Sequence, residues 1–117
     1  MKKPPKEDIV YLTHMLECIE AIEKYIGNDR LQFMENAMAR DATLRQLSIM
    51  SESSTKLSES LKNEFPEVEW RKLGAFRNIL VHDYLGDLRH DIIWQNIQNH
   101  LPNLKEVILK AIKKTGK

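Results

Sequence analysis

Apolar residues recur at three- and four-residue steps along the whole chain, the spacing of one face of an α-helix. The first stripe is Ile9, Leu12, Leu16, Ile19, Ile22 and Ile26; Pro4 and Pro5 precede it, and Gly27 stands where a C-terminal cap is expected. Asp29 is placed to cap a short turn holding Leu31, Phe33 and Met34, and Asn36 to cap the next long helix. That second long helix is expected to reach about Leu61, on a stripe of Leu47, Met50, Leu57 and Leu61 with Ser54 filling the missing step. Pro66 separates it from a third, around 67–81, with Trp70, Leu73, Phe76 and Leu80 on its inner face. Gly74 in that helix costs about 1 kcal/mol relative to alanine, which makes sense where another backbone packs close. Gly86 ends the segment, and Asp87 can cap a last helix in which Ile93, Ile97, Leu101, Leu104, Ile108 and Ala111 keep one phase across Pro102. Proline removes a backbone bond and clashes with the carbonyl four residues back, so one helix kinked near Pro102, or two nearly collinear helices, is expected. No Val/Ile/Thr-rich alternating run appears. The pattern predicts an all-α helical bundle of four main helices plus a short connecting helix.

Composition adds little to this picture and removes some alternatives. A chain of 117 residues is expected to form a single domain, 1–117, with a core that needs no staples. Cys18 is the only cysteine, which excludes an internal disulfide and is compatible with a reducing cytosol. MKKPPKED has no apolar segment behind its lysines, and no apolar run is long enough to span a bilayer, so a cytoplasmic protein without a membrane partner is expected. The net charge of +1 hides an asymmetry. Residues 1–70 carry nine Lys/Arg against thirteen Asp/Glu, and residues 71–117 carry nine against four. A basic surface for a phosphate-bearing partner would explain this. Attraction between the two halves, across the fold or across a dimer, is the simpler reading. Ser51, Ser53, Ser54, Ser58 and Ser60 either let another helix approach closely or face solvent.

The stretch RNILVHDY, residues 77–84, carries the candidate chemistry. Arg77 and Tyr84 are seven apart and share a helix face, whereas Arg77 and His82 are five apart, about 140° around a regular helix. Those two converge only if the helix breaks or bulges between them, or if one partner comes from another chain. A histidine can take the proton from a ribose 2′-hydroxyl or give one to the leaving 5′-oxygen. An arginine can neutralise the phosphate oxygens as the transition state forms. Asp83, Asp87, His90 and Asp91 gather nearby without a familiar ligand spacing, so neither a metal site nor a cofactor is expected. Arg71 and Lys72 are weaker candidates for holding RNA phosphates; a solvated helix face explains them equally well. On spacing alone, Arg77 and His82 are more simply a charge pair at a helix end, and Tyr84 an aromatic closing it. His14 is expected at the surface, His90 and His100 at the surface or at caps, and Trp70 and Trp94 in the core.

RNILVHDY resembles the motif of HEPN-superfamily proteins: arginine, a polar residue, three further residues, then histidine. It looks most like the HepT branch, where the histidine is followed by any residue and tyrosine. The resemblance covers most of the chain and is most specific over residues 68–108. Leu85 departs from a frequent phenylalanine, and SESS at 51–54 from a glycine-glutamate-alanine run, although Glu52 keeps the acidic position. The resemblance implies a homodimeric HEPN bundle with Arg77 and His82 catalytic, Asn78 helping to orient them, and the two motifs meeting at the dimer interface. It implies a metal-independent endoribonuclease toxin of a type VII-like toxin–antitoxin pair, with tRNA a candidate substrate. The partner would be an MntA-like nucleotidyltransferase antitoxin that moves AMP from ATP onto Tyr84 and so inactivates the toxin. Two alternatives stand beside this one. One is a non-catalytic HEPN module that binds a nucleotide or a nucleotidyltransferase. The other is a helical dimerisation domain whose polar motif only finishes a helix.

Overall fold

The computed structural model describes residues 7–83 and 89–115, with the backbone alone at 81–83. Its elements are α1 (Glu7–Tyr25), α2 (Arg30–Glu35), α3 (Ala37–Thr55), α4 (Glu59–Glu64), α5 (Trp70–Asp83) and α6 (His90–Thr115). Among the described residues the chain is all-α, with four long helices and two of six residues each, α2 and α4. Several expected punctuation marks are in place. Gly27 takes φ +50° after α1, the left-handed region where a side chain is disfavoured. Asp29 caps α2 by accepting from the Gln32 amide at 3.2 Å, and Asn36 caps α3 by accepting from the Ala39 amide at 3.0 Å.

The expected single helix from Asn36 to about Leu61 is instead two. α3 stops at Thr55, with the Lys56 amide donating to the Ser53 carbonyl at 3.0 Å. Ser58 then caps α4, its hydroxyl accepting from the Leu61 amide at 3.1 Å. The turn is held from outside. Asp8, 0% exposed at the start of α1, accepts from the Ser58 amide at 2.9 Å and from its hydroxyl at 2.6 Å. A buried carboxylate is tolerated only when its oxygens are satisfied, and here they fix where the chain breaks. The apolar phase runs on through the break, since Ser54, Leu57 and Leu61 are all buried, so periodicity did not reveal it. α5 likewise begins at Trp70, not near 67, because 65–68 form a turn in which the Val68 amide donates to the Phe65 carbonyl. α6 runs as one helix through Pro102. Gly86 and Asp87, expected to stop one helix and cap the next, lie outside the described residues.

α3 packs between α1 and α5, and α1 between α3 and α6; α2 closes against α3 and α6. α5 and α6 are thus the outer members of the row. The core is built from Leu12, Met15, Ile19 and Ile22 of α1, Leu44, Leu47 and Met50 of α3, and Ile93, Ile97 and Ile108 of α6, with Phe33 and Leu80. Ser51, Ser53 and Ser54 are buried, which removes the solvent-facing reading for this part of the serine cluster. The charge asymmetry is met inside the fold. Arg77 pairs with Glu52, Lys105 with Glu23 at 3.0 Å, and Lys114 with Glu64 at 3.4 Å, each joining the basic C-terminal half to the acidic N-terminal half.

Replacing Asp8 by alanine removes the acceptor for two groups of Ser58 at once. The expected cost is about 1–3 kcal/mol. Ser58→Ala loses a cap worth about 1 kcal/mol and also leaves the buried Asp8 Oδ2 without its donor, so it is expected to cost at least as much. Urea unfolding midpoints of the two variants check the order.

Candidate active site on the fifth helix

α5 has the sequence WRKLGAFRNILVHD. Leu80 anchors it, 1% exposed, while Trp70, Leu73 and Phe76 are half-buried at the edge of the core. Trp70 is further tied down by its indole N–H, which donates to the Phe65 carbonyl at 3.0 Å. The approach at Gly74 is close, but to side chains of α3 where another backbone was expected. A Cβ there would sit 2.9 Å from Thr55 Cγ2 and 4.0 Å from Ser54 Oγ. Both hydroxyls are turned back onto their own helix, Thr55 donating to the Glu52 carbonyl and Ser54 to the Ser51 carbonyl, each at 2.6 Å. The Thr55 methyl is therefore the face shown to α5.

Three residues further along α5, and three residues back along α3, the same antiparallel register brings Arg77 to Glu52. Arg77 Nη1 donates to the Glu52 carboxylate. The pair lies at the surface, with side chains 51% and 42% exposed. Glu52 also lies 3.8 Å from Lys56 Nζ. Arg77 is thus both held and accessible, a combination the isolated motif did not reveal. Glu52 was the residue sequence reasoning left without a role; its signals were an acidic side chain in the otherwise uncharged SESS run and the acidic position it keeps in the family resemblance.

The remaining candidates are distributed as follows. Asn78, Arg71 and Lys72 are exposed on α5, and Lys72 lies 3.5 Å from Glu69. α5 is unbroken from Trp70 to Asp83, so no break or bulge separates Arg77 from His82. Their backbone positions stand about 140° apart on one helix. The side chain of His82 and all of Tyr84 lie outside the described residues. Beyond them, Arg89 donates to Asp91 at 3.0 Å, and this bond holds the Asp91 carboxyl below the usual carboxylate range. His14 is exposed as expected, and His100 is exposed too. His90 meets the Phe33 ring edge-on at 6.3 Å, and Trp94, 9% exposed, also packs against Phe33, with ring centroids 5.9 Å apart. Among the described residues no three His, Cys, Asp or Glu gather as a metal-binding cluster, and no helix is long and apolar enough to cross a membrane. Cys18 is buried among apolar side chains, and this burial pushes its thiol up to about 11.

A groove of about 750 Å³ separates α5 from α6. Leu47 and Met50 form its floor, Phe76 and Ile79 one wall, and Leu101 and Leu104 the other. Ile79 is 47% exposed. The groove thus runs along the helix that carries the motif, over a floor that is itself buried.

An all-α bundle whose third long helix bears an arginine, a polar residue and a histidine at this spacing is of the HEPN type. The chain belongs to the HepT-like ribonuclease family: the profile described as "Ribonuclease HepT-like" matches residues 15–111. A protein of Thermococcus cleftensis named as a probable ribonuclease HepT is 31% identical over 107 residues, covering 90% of this chain and 93% of its own length. A Methanocaldococcus jannaschii protein, named as an RNase by inference, is 29% identical over 105 residues, covering 88% of this chain and 95% of its own length. Another protein of that organism is named for two activities, a gamma-glutamylcyclotransferase and an inferred RNase. It is 31% identical over 115 residues, covering 96% of this chain but 50% of its own length. No solved structure gives a significant match.

The contact at Gly74 can be tested by volume. Gly74→Ala gains about 1 kcal/mol of helix propensity, but its Cβ would meet the Thr55 methyl at 2.9 Å, on a β-branched side chain with little rotamer freedom, so a small net loss of stability is expected. Gly74→Leu overfills the interface and is expected to cost about 1–3 kcal/mol, read from urea unfolding.

Proposed function

We propose that this protein is a metal-independent endoribonuclease acting as a homodimer, with Arg77 and His82 as its catalytic residues and Asn78 supporting them. The observation that carries the reading is the family motif on an unbroken helix, with Arg77 held at the surface by Glu52 and open to a ligand. The chemistry follows from the residues. One imidazole takes the proton of a ribose 2′-hydroxyl, the 2′-oxygen attacks phosphorus, and the 5′-oxygen leaves with a proton from a second imidazole. The products are a 2′,3′-cyclic phosphate and a 5′-hydroxyl. Arg77 offsets the charge that builds on the non-bridging oxygens. Arg71 and Lys72 add weak phosphate contacts.

The dimer is part of the proposal because α5 is continuous. With about 140° between Arg77 and His82, one chain does not bring both to the same phosphate, whereas a second copy supplies the missing partner. The apolar α5–α6 groove, lying on the motif helix, is the surface this pairing would cover. In the same reading the protein is the toxin of a two-gene pair. Its partner is an MntA-like nucleotidyltransferase antitoxin that transfers AMP to Tyr84, adding bulk and negative charge that oppose an RNA phosphate. A structured RNA such as tRNA is the proposed substrate.

Two measurements check this. In excess EDTA, purified protein is expected to cut total RNA or tRNA to cyclic-phosphate ends, with His82→Ala inactive while folded and dimeric. Absence of cutting by the unmodified protein on both substrates would move the reading to a non-catalytic binding module. Ile79→Glu places a charge on the groove wall; sedimentation is expected to show a folded monomer, and cleavage is expected to be lost with the dimer.

A further inference from the structure

We infer that Glu52 is a positioning residue for Arg77, fixing the guanidinium so that its remaining N–H groups face an incoming phosphate. This rests on the proposed role of Arg77, but the geometry stands independently of it. The two side chains come from different helices, 25 residues apart in sequence, and Arg77 donates to Glu52 through Nη1. A guanidinium has five N–H donors in a rigid fork, so one bond to a carboxylate leaves most of the fork for a ligand. A half-exposed arginine without such a bond samples many rotamers, and each must be lost when the phosphate binds. Glu52 removes that freedom in advance. Its own place is fixed by the contact one helical turn away, where Thr55 meets Gly74 and donates to the Glu52 carbonyl at 2.6 Å.

A purely structural clamp between α3 and α5 predicts something different. Exposed ion pairs contribute little to stability, and this one is 51% and 42% exposed. Core burial and the Gly74 contact hold the two helices together without it. The carboxylate also has a cost for function, because its negative charge stands beside the phosphate that Arg77 would bind. A neutral amide of the same length keeps an acceptor for Nη1 and removes that repulsion. Glu52→Gln and Glu52→Ala therefore separate orientation from charge.

The experiment compares the wild type, Glu52→Gln, Glu52→Ala, Arg77→Ala and the Glu52→Ala/Arg77→Ala double variant in RNA cleavage, with side-chain nitrogen NMR of Arg77 alongside. Glu52→Ala is expected to lower kcat about tenfold to a hundredfold, the effect of a misplaced catalytic group, with an unfolding midpoint close to that of the wild type. Glu52→Gln is expected to recover most of kcat with a lower KM. In the Arg77→Ala background, Glu52→Ala is expected to add nothing, since it acts through the missing guanidinium. The Arg77 Nη signals are expected to be resolved in the wild type and averaged in Glu52→Ala. Unchanged kcat in Glu52→Ala from an active wild type would overturn the inference and leave the ribonuclease reading intact. If the wild type cuts no RNA, the ribonuclease reading falls and NMR decides alone: resolved signals that Glu52→Ala averages uphold the positioning role, and identical signals overturn it.

Discussion

The absence of a side chain at Gly74 sets how closely α3 and α5 approach, and the candidate site is a consequence of that distance. With a Cβ position 2.9 Å from Thr55 Cγ2, the interface has no slack. The antiparallel register it fixes carries Glu52 to Arg77 one turn further on. The buried Ser54 on α3 serves the same end. Ser54 returns its hydroxyl to the Ser51 carbonyl, so a polar residue lines a tight helix contact without asking α5 for a partner. A larger residue at 54 or 74 would push the helices apart and separate the ion pair before it disturbed the rest of the core.

The same economy governs charge. A C-terminal half with a surplus of basic residues invites a reading in terms of RNA, yet Arg77, Lys105 and Lys114 all have carboxylate partners from the N-terminal half. Each such pair is at least partly exposed and contributes little stability, but each also lowers the field that a polyanion would feel. Affinity for RNA, on the proposed reading, would then depend on a few placed donors more than on bulk positive charge. Arg77 is both partnered and placed, which is why its partner bears on what it can do.

Much of the fold was legible in the sequence because it is local. The apolar stripes located the long helices, Asp29 and Asn36 were recognisable as caps, and Gly27 as a stop. Gly74 was legible as a close contact because glycine inside a helix otherwise has no local reason to be there. The break between α3 and α4 was not legible, since it depends on Asp8, fifty residues earlier in the chain, while the apolar phase continues across it. The partnership of Glu52 with Arg77 was hidden for the same reason: it joins two helices through a register that only packing determines. RNILVHDY showed the residue types of a site, and its spacing showed that one regular helix would not assemble it.

That spacing still sets the strongest constraint on mechanism. Cleavage by 2′-hydroxyl attack needs a proton removed at one oxygen and delivered at another in the same displacement, and near neutral pH an imidazole is either base or acid at a given moment. The motif of one chain holds one histidine. The continuous helix from Trp70 to Asp83 keeps its backbone well around from Arg77, and a regular helix offers no local adjustment that would bring them together. On the proposed reading, a two-fold arrangement would answer both shortages at once, supplying a second imidazole and letting the arginine of one chain serve the histidine of its neighbour. The α5–α6 groove gives the motif helix an apolar surface through which the proposed pairing could form.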